Sequence, residues 1–266
     1  MNNKRPPLPP EITAVLHMLL SNVQTILADR LIGMYVHGSL ACGDFDLQRS
    51  DIDFLVVTAG ELPSRLFSAL AAMHARLTSS GIAWAQKLEG SYIPQQALHR
   101  YDPAHNRHPA LRVDGSFGMD VHGWDWIIER YVLREHGIVL AGPSLTTLID
   151  PVSPADLRQA VQGTLQEWWS PPFPEPERFM SREYQAYAVL TLCRALYTLQ
   201  YGVVVSKPIA VRWALAALDK RWAALIERAL AWPREPQTDN LDETVRFILY
   251  ANEVSRERFA GDTHEG

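Results

Sequence analysis

The chain has 266 residues, 47% of them hydrophobic and 21% charged, which is enough apolar material for one large domain or two modest ones and excludes a disordered tail, a collagen-like repeat or a coiled coil. With 25 Lys and Arg against 30 Asp and Glu the formal charge is −5, so no concentrated basic surface is expected for bulk nucleic acid or an anionic membrane. The two cysteines, Cys42 and Cys193, form neither a metal-type cluster nor a disulfide framework and read as free thiols of a cytoplasmic protein.

The segment Met1 to Thr13 carries four prolines and no apolar core, and nowhere do eighteen apolar residues run uninterrupted, so neither a signal peptide nor a membrane span is expected. From Pro10 to Arg30 the apolar residues recur at three- and four-residue steps, predicting an amphipathic helix. Leu31 to Val36 and Ile52 to Val57 are short apolar runs that suit buried strands. Pro63 to Leu77 reads as a helix and Ile82 to Leu88 as a third strand, while Trp124 to His136 reads as a helix stopped at Gly137.

After Pro151 the character changes. Pro154 to Trp169, Arg182 to Tyr201, Pro208 to Leu218, Arg221 to Ala231 and Leu241 to Phe259 all carry helical periodicity, with breaks at Pro171 to Pro174 and Pro233 to Asn240. The expected class is therefore α+β: a domain over residues 1–152 built on a mixed sheet flanked by helices, then a helical bundle over residues 153–266.

The chemistry concentrates in Tyr35-Val36-His37-Gly38-Ser39 and, after a linker, Ser50-Asp51-Ile52-Asp53. Residues two apart on a strand point the same way and stand about 6.6 Å apart, so Asp51 and Asp53 project two carboxylates from one face. Such an oxygen-only, doubly anionic site suits a hard ion such as Mg²⁺, which takes its remaining ligands from water and substrate phosphates. Gly38 leaves room for a phosphate near the backbone, and Ser39 adds a hydroxyl beside main-chain N–H groups. Alone, a Gly-Ser pair is an ordinary turn and Asp-x-Asp a solvated strand end; jointly, beside a buried apolar strand, the carboxylates need compensation, and a cation supplies it.

Gly-Ser, about ten residues, then Asp-x-Asp opening a strand resembles the signature of the polymerase-β-like nucleotidyltransferases. Val189 to Leu199, with Arg194, then Ser206-Lys207-Pro208 and Arg212 to Leu215 look like the helical domain of the streptomycin/spectinomycin adenylyltransferases, as do Trp124-Asp125 and Val139 to Gly142. This resemblance implies a Mg²⁺-dependent transfer of AMP from ATP to a hydroxyl of an aminoglycoside antibiotic, with one or two ions. It implies that Asp51, Asp53 and Glu89 hold metal, Glu89, near the end of the third strand, being the base. Gly38, Ser39, Ser50, Asp125, Arg194 and Lys207 would bind nucleotide, and the helical domain would close the nucleotide and acceptor cleft of a monomer. Eleven residues separate Ser39 from Asp51, one more than in those enzymes, and Tyr184, beside Glu183, stands where they carry a drug-binding aspartate. Glu183 and Tyr184 are thus the acceptor candidates, and the alternatives are another small-molecule or protein hydroxyl, or a non-catalytic nucleotide-binding or antitoxin-like module. His99, Asp102, His105 and His108 lack fixed metal-ligand spacing and read as surface, and Trp168, Trp169 and Trp213 as bundle core.

Overall fold

The computed structural model describes residues 8–232 and 241–262. The first seven residues and the proline-rich break at Pro233 to Asn240 lie outside them. The chain divides into two compact units on either side of the Pro151–Val152 junction.

In the first unit Pro10, preset for the opening turn, starts helix α1 (Pro10–Leu27). Strand β1 (Leu31–Val36), a short helix α2 (Gly38–Cys42), strand β2 (Ile52–Thr58) and helix α3 (Ser64–Thr78) follow. Then come β3 (Leu88–Pro94), α4 (Gln95–His99), the hairpin β4 (Arg107–Leu111) and β5 (Phe117–Val121), α5 (Asp125–His136), β6 (Ile138–Ala141) and α6 (Leu145–Leu148). The strands form one mixed six-stranded sheet in the order β5-β4-β3-β2-β1-β6, with β2 and β3 parallel and the other neighbours antiparallel.

Alternation along the central strands gives the sheet two different faces. Ile52, Phe54 and Val56 of β2, with Met34 and Val36 of β1 and Leu88 and Tyr92 of β3, face a core closed by Ile12 to Leu27 of α1 and Leu70, Met73 and Leu77 of α3. The opposite rows, Leu55 and Val57, Tyr35 and Ile93, pack on Leu98, Trp126, Leu133, Leu145 and Leu148 of the helices α4, α5 and α6. Residues 10–30 reach the length and apolarity of a membrane span, but the apolar side of α1 is spent on the core.

Two expectations for this unit are corrected. Residues 83–87 form a 3₁₀ turn, not a strand, and the third strand starts only at Leu88, so Glu89 stands at its beginning. An apolar run of this length fits turn and strand periods alike, and the pairing of Ile52 with Leu88 decides between them. His108 is not at the surface: it is buried in β4 with its ring 5.3 Å from that of His122, whereas Asp102 and His105 form an exposed pair at 2.7 Å.

The second unit is helical among the described residues: α7 (Pro154–Trp168), α8 (Arg182–Tyr201), α9 (Lys207–Ala217), α10 (Ala223–Ala231) and α11 (Leu241–Asp262). Ser153 and Asp156 form a reciprocal cap on α7, and Ser181 caps α8, which ends at Gly202 in the left-handed conformation. Trp169 is buried, as expected, but Trp168 is exposed and Trp213 half-buried, its ring meeting Tyr197 edge-on.

Candidate active site

The face that packs on α5 changes character at one end of the sheet. The row Val57-Leu55 of β2 continues into Asp53 and Asp51, and the row Ile93-Ser91 of β3 into Glu89. Tyr35 of β1, which runs the other way, leads to His37. Because β2 and β3 are parallel with Asp53 opposite Glu89, both strands reach this end with a carboxylate. His37 joins them through its backbone N–H, which donates to the Asp53 carbonyl at 3.0 Å. The apolar half of each row anchors the strand, and the polar half is thereby held in place.

Gly38 follows with φ +60°, a conformation that costs a side-chain-bearing residue about 1–2 kcal/mol. A Cβ here would also fall on the Asp53 carboxylate, so glycine is required twice over. Ser39 is half-buried on the first turn of α2, and its carbonyl accepts from the N–H groups of Gly43 and Asp44. Ser50 closes the linker: its Oγ accepts from the Asp46 N–H at 3.0 Å.

The electrostatics follow from crowding. Glu89 reaches solvent, yet its carboxyl is pushed up from 4.5 to about 7, first by desolvation and then by repulsion from Asp53, Asp51 and Glu129, with His37 opposing. Solvent contact weakens the first cause, but the three nearby acids act through geometry and stand independently of it. Asp51 already has a cation, Lys87 Nζ, at 3.1 Å from its Oδ1. His37 Nδ1 lies 3.1 Å from Glu129 Oε2; desolvation pushes this imidazole down, but Glu129, Asp53 and Glu89 together leave it raised.

A hard divalent cation suits this donor set, which offers carboxylate oxygens with more negative charge gathered than Lys87 and His37 offset. Among the described residues no three His, Cys, Asp or Glu side chains already converge as a metal site. Asp53 and Glu89, opposite one another, are the natural pair, and Asp51 would join by releasing Lys87.

The remaining expected residues lie on other elements. Asp125 opens α5 as its first residue and is exposed. In the second unit Arg194 is half-buried on α8, and Lys207 opens α9 with its ammonium 4.7 Å above the Tyr187 ring. Glu183 is exposed in the first turn of α8, whereas Tyr184 belongs to a three-ring cluster with Trp169, at 6.0 Å, and Tyr187, at 5.8 Å, under the Arg178 guanidinium at 4.5 Å. Sequence reasoning missed His37 and Glu129; the signal available was a histidine directly before Gly-Ser and an acid one helical turn after Asp125.

Residues 20–114 match a family model described as a nucleotidyltransferase domain, and residues 147–253 one described as the aminoglycoside adenylyltransferase C-terminal domain. An aminoglycoside (3'') (9) adenylyltransferase from Escherichia coli is 26% identical over 257 residues, covering 90% of this chain and 93% of the relative. A spectinomycin 9-adenylyltransferase from Campylobacter jejuni is 24% identical over 227 residues, covering 82% and 84%. Among solved structures, the spectinomycin adenyltransferase AAD(9) from Enterococcus faecialis, crystallised with ATP and spectinomycin, shares the fold at a TM-score of 0.70 and 18% identity, covering 92% of this chain and 99% of that one.

Proposed function

The chain belongs to the aminoglycoside adenylyltransferase family and is a nucleotidyltransferase, and from that premise we propose that it transfers AMP from ATP to a hydroxyl of spectinomycin or streptomycin, with Mg²⁺, in the cytoplasm where ATP is available. The observation that carries the reading is the gathering of Asp51, Asp53 and Glu89 at one end of one sheet face, beside a glycine at φ +60° whose Cβ would fall on the Asp53 carboxylate.

In this reading the acceptor hydroxyl attacks the α-phosphorus of ATP in line, the oxygen–phosphorus bond to the leaving pyrophosphate breaks, and the drug oxygen carries AMP away. Glu89 takes the hydroxyl proton. A base whose pKa lies near 7 combines a usable deprotonated fraction with real basicity at neutral pH, a contribution of typically 10²- to 10⁴-fold. Asp51, Asp53 and Glu89 would hold Mg²⁺, which when bound neutralises charge on the phosphate oxygens. Gly38 lets the triphosphate come close to the backbone, Ser39 and Ser50 present hydroxyls on either side of the linker, and Asp125, Arg194 and Lys207 are assigned to the nucleotide by the resemblance.

Tyr184 favours a second reading of the acceptor alone. A polycationic drug is held by carboxylates, but here an aromatic ring under Arg178 stands at the position, and of the acids near it Glu175 is already paired with Arg178 at 2.7 Å while Glu183 is exposed. Transfer to a less cationic hydroxyl compound would use the same catalytic groups. Pyrophosphate release measured with ATP, Mg²⁺ and a panel of spectinomycin, streptomycin and neutral aminocyclitols separates the two, and ATP binding without release for any acceptor would sink both in favour of a non-catalytic module.

A further inference from the structure

A carboxylate placed beside a triphosphate site weakens binding by repulsion unless its charge is used. Glu129 is such a carboxylate: it lies close enough to Glu89 to repel it, one turn beyond Asp125 on the same face of α5. Its Oε2 meets His37 Nδ1 at 3.1 Å, and the His37 side chain is 12% exposed. His37 is in turn bound to the Asp53 carbonyl through its backbone N–H, and the next residue, Gly38, lies against the Asp53 carboxylate. Helix α5 packs on α2, so the pair ties the outer helix layer to the turn that enters the motif.

Resting on the nucleotide-binding reading above, we infer that Glu129 is a positioning residue for ATP, acting through His37 to hold the turn that sets Gly38 and Asp53 against the triphosphate. The pairing fixes the backbone of the turn at a glycine whose Cβ would fall on the Asp53 carboxylate. A charge-assisted hydrogen bond in a partly buried setting is strong enough to hold a tight turn in one conformation.

The inference predicts a sign that a bystander acid would reverse. Removing a mere repelling carboxylate tightens ATP binding; removing a positioning one loosens it. Calorimetric titration of the full chain with ATP in Mg²⁺ should find Glu129→Leu binding roughly tenfold more weakly, with kcat at saturating ATP within about threefold of the parent, a change well inside what one charge-assisted bond commands. Glu129→Gln, whose amide oxygen still accepts from His37, should recover most of the affinity. His37→Leu should weaken binding by the same factor, and the double variant should be no worse than either single one. Should Glu129→Leu not fold, His37→Leu against Glu129→Gln carries the same comparison. Unchanged or tighter ATP binding in Glu129→Leu or His37→Leu, or losses that add in the double variant, overturns the inference while the parent's binding leaves the function reading intact. A parent chain that does not bind ATP overturns both.

Discussion

The two units of this chain handle charge in opposite ways. The first collects carboxylates at the end of a sheet, where desolvation and then mutual repulsion hold Glu89 near 7. The second rests cations on aromatic faces, Lys207 on Tyr187 and Arg178, which also pairs with Glu175 at 2.7 Å, on Tyr184. In the proposed reaction the carboxylates of the first unit would take the metal and the proton, and Arg194 and Lys207 of the second would take the phosphates.

The strongest way to break that comparison is Glu89→Gln. It should lower transfer by about 10²- to 10⁴-fold with ATP affinity retained, measured as pyrophosphate release and calorimetric binding. It should also separate function from stability. A carboxyl raised above its ordinary value binds more protons folded than unfolded, so stability is lost as pH rises from about 4.5 through about 7, and the Gln variant escapes that loss. Its melting temperature should therefore exceed the parent's at pH 8 and match it at pH 4; a lower value at pH 8 would contradict the crowding.

Gly38→Ala comes next. Strain at φ +60° and displacement of the Asp53 carboxylate should cost on the order of a hundredfold in rate, the usual penalty for an ångström of misplacement. A variant within twofold of the parent would mean that Asp53 tolerates movement. For the second unit, Lys207→Ala should raise KM for ATP about tenfold with kcat little changed, as loss of one charged contact to phosphate would. An unchanged KM would leave Lys207 a partner of Tyr187 and nothing more. The smallest effect is expected from Lys87→Met: freeing Asp51 of its ion pair adds uncompensated charge beside Glu89, so the pH profile should shift up by about half a unit or less, as a surface ion pair allows.

Much of this site was legible because its parts are contiguous. The Gly38-Ser39 and Asp51-x-Asp53 segments announce themselves by local spacing, and β2 by its apolar run. Glu89 was named, but by resemblance and at the wrong end of the third strand: the run Ile82 to Leu88 reads as a strand, yet residues 83–87 form a turn and the strand begins at Leu88. The β4–β5 hairpin was missed: Arg107-His-Pro-Ala-Leu carries little alternation and a proline, and Phe117-Gly-Met-Asp-Val, although it alternates, is short and contains a glycine. With it went His108, whose burial depends on a strand no local pattern declared. His37 and Glu129 are 92 residues apart, and only the packing of α5 on the sheet brings them together. The long helices of the second unit, by contrast, were readable from caps and period alone, but the aromatic seats of its cations were not, because ring contacts between α7, α8 and α9 depend on how those helices pack.

The most direct test of the central claim is to incubate the purified chain with ATP, Mg²⁺ and spectinomycin or streptomycin and weigh the drug by mass spectrometry. The account predicts a drug heavier by one AMP, with pyrophosphate released in equal amount and neither product formed by Glu89→Gln. ATP turned over with both drugs unaltered, or a drug modified equally well by Glu89→Gln, would contradict it.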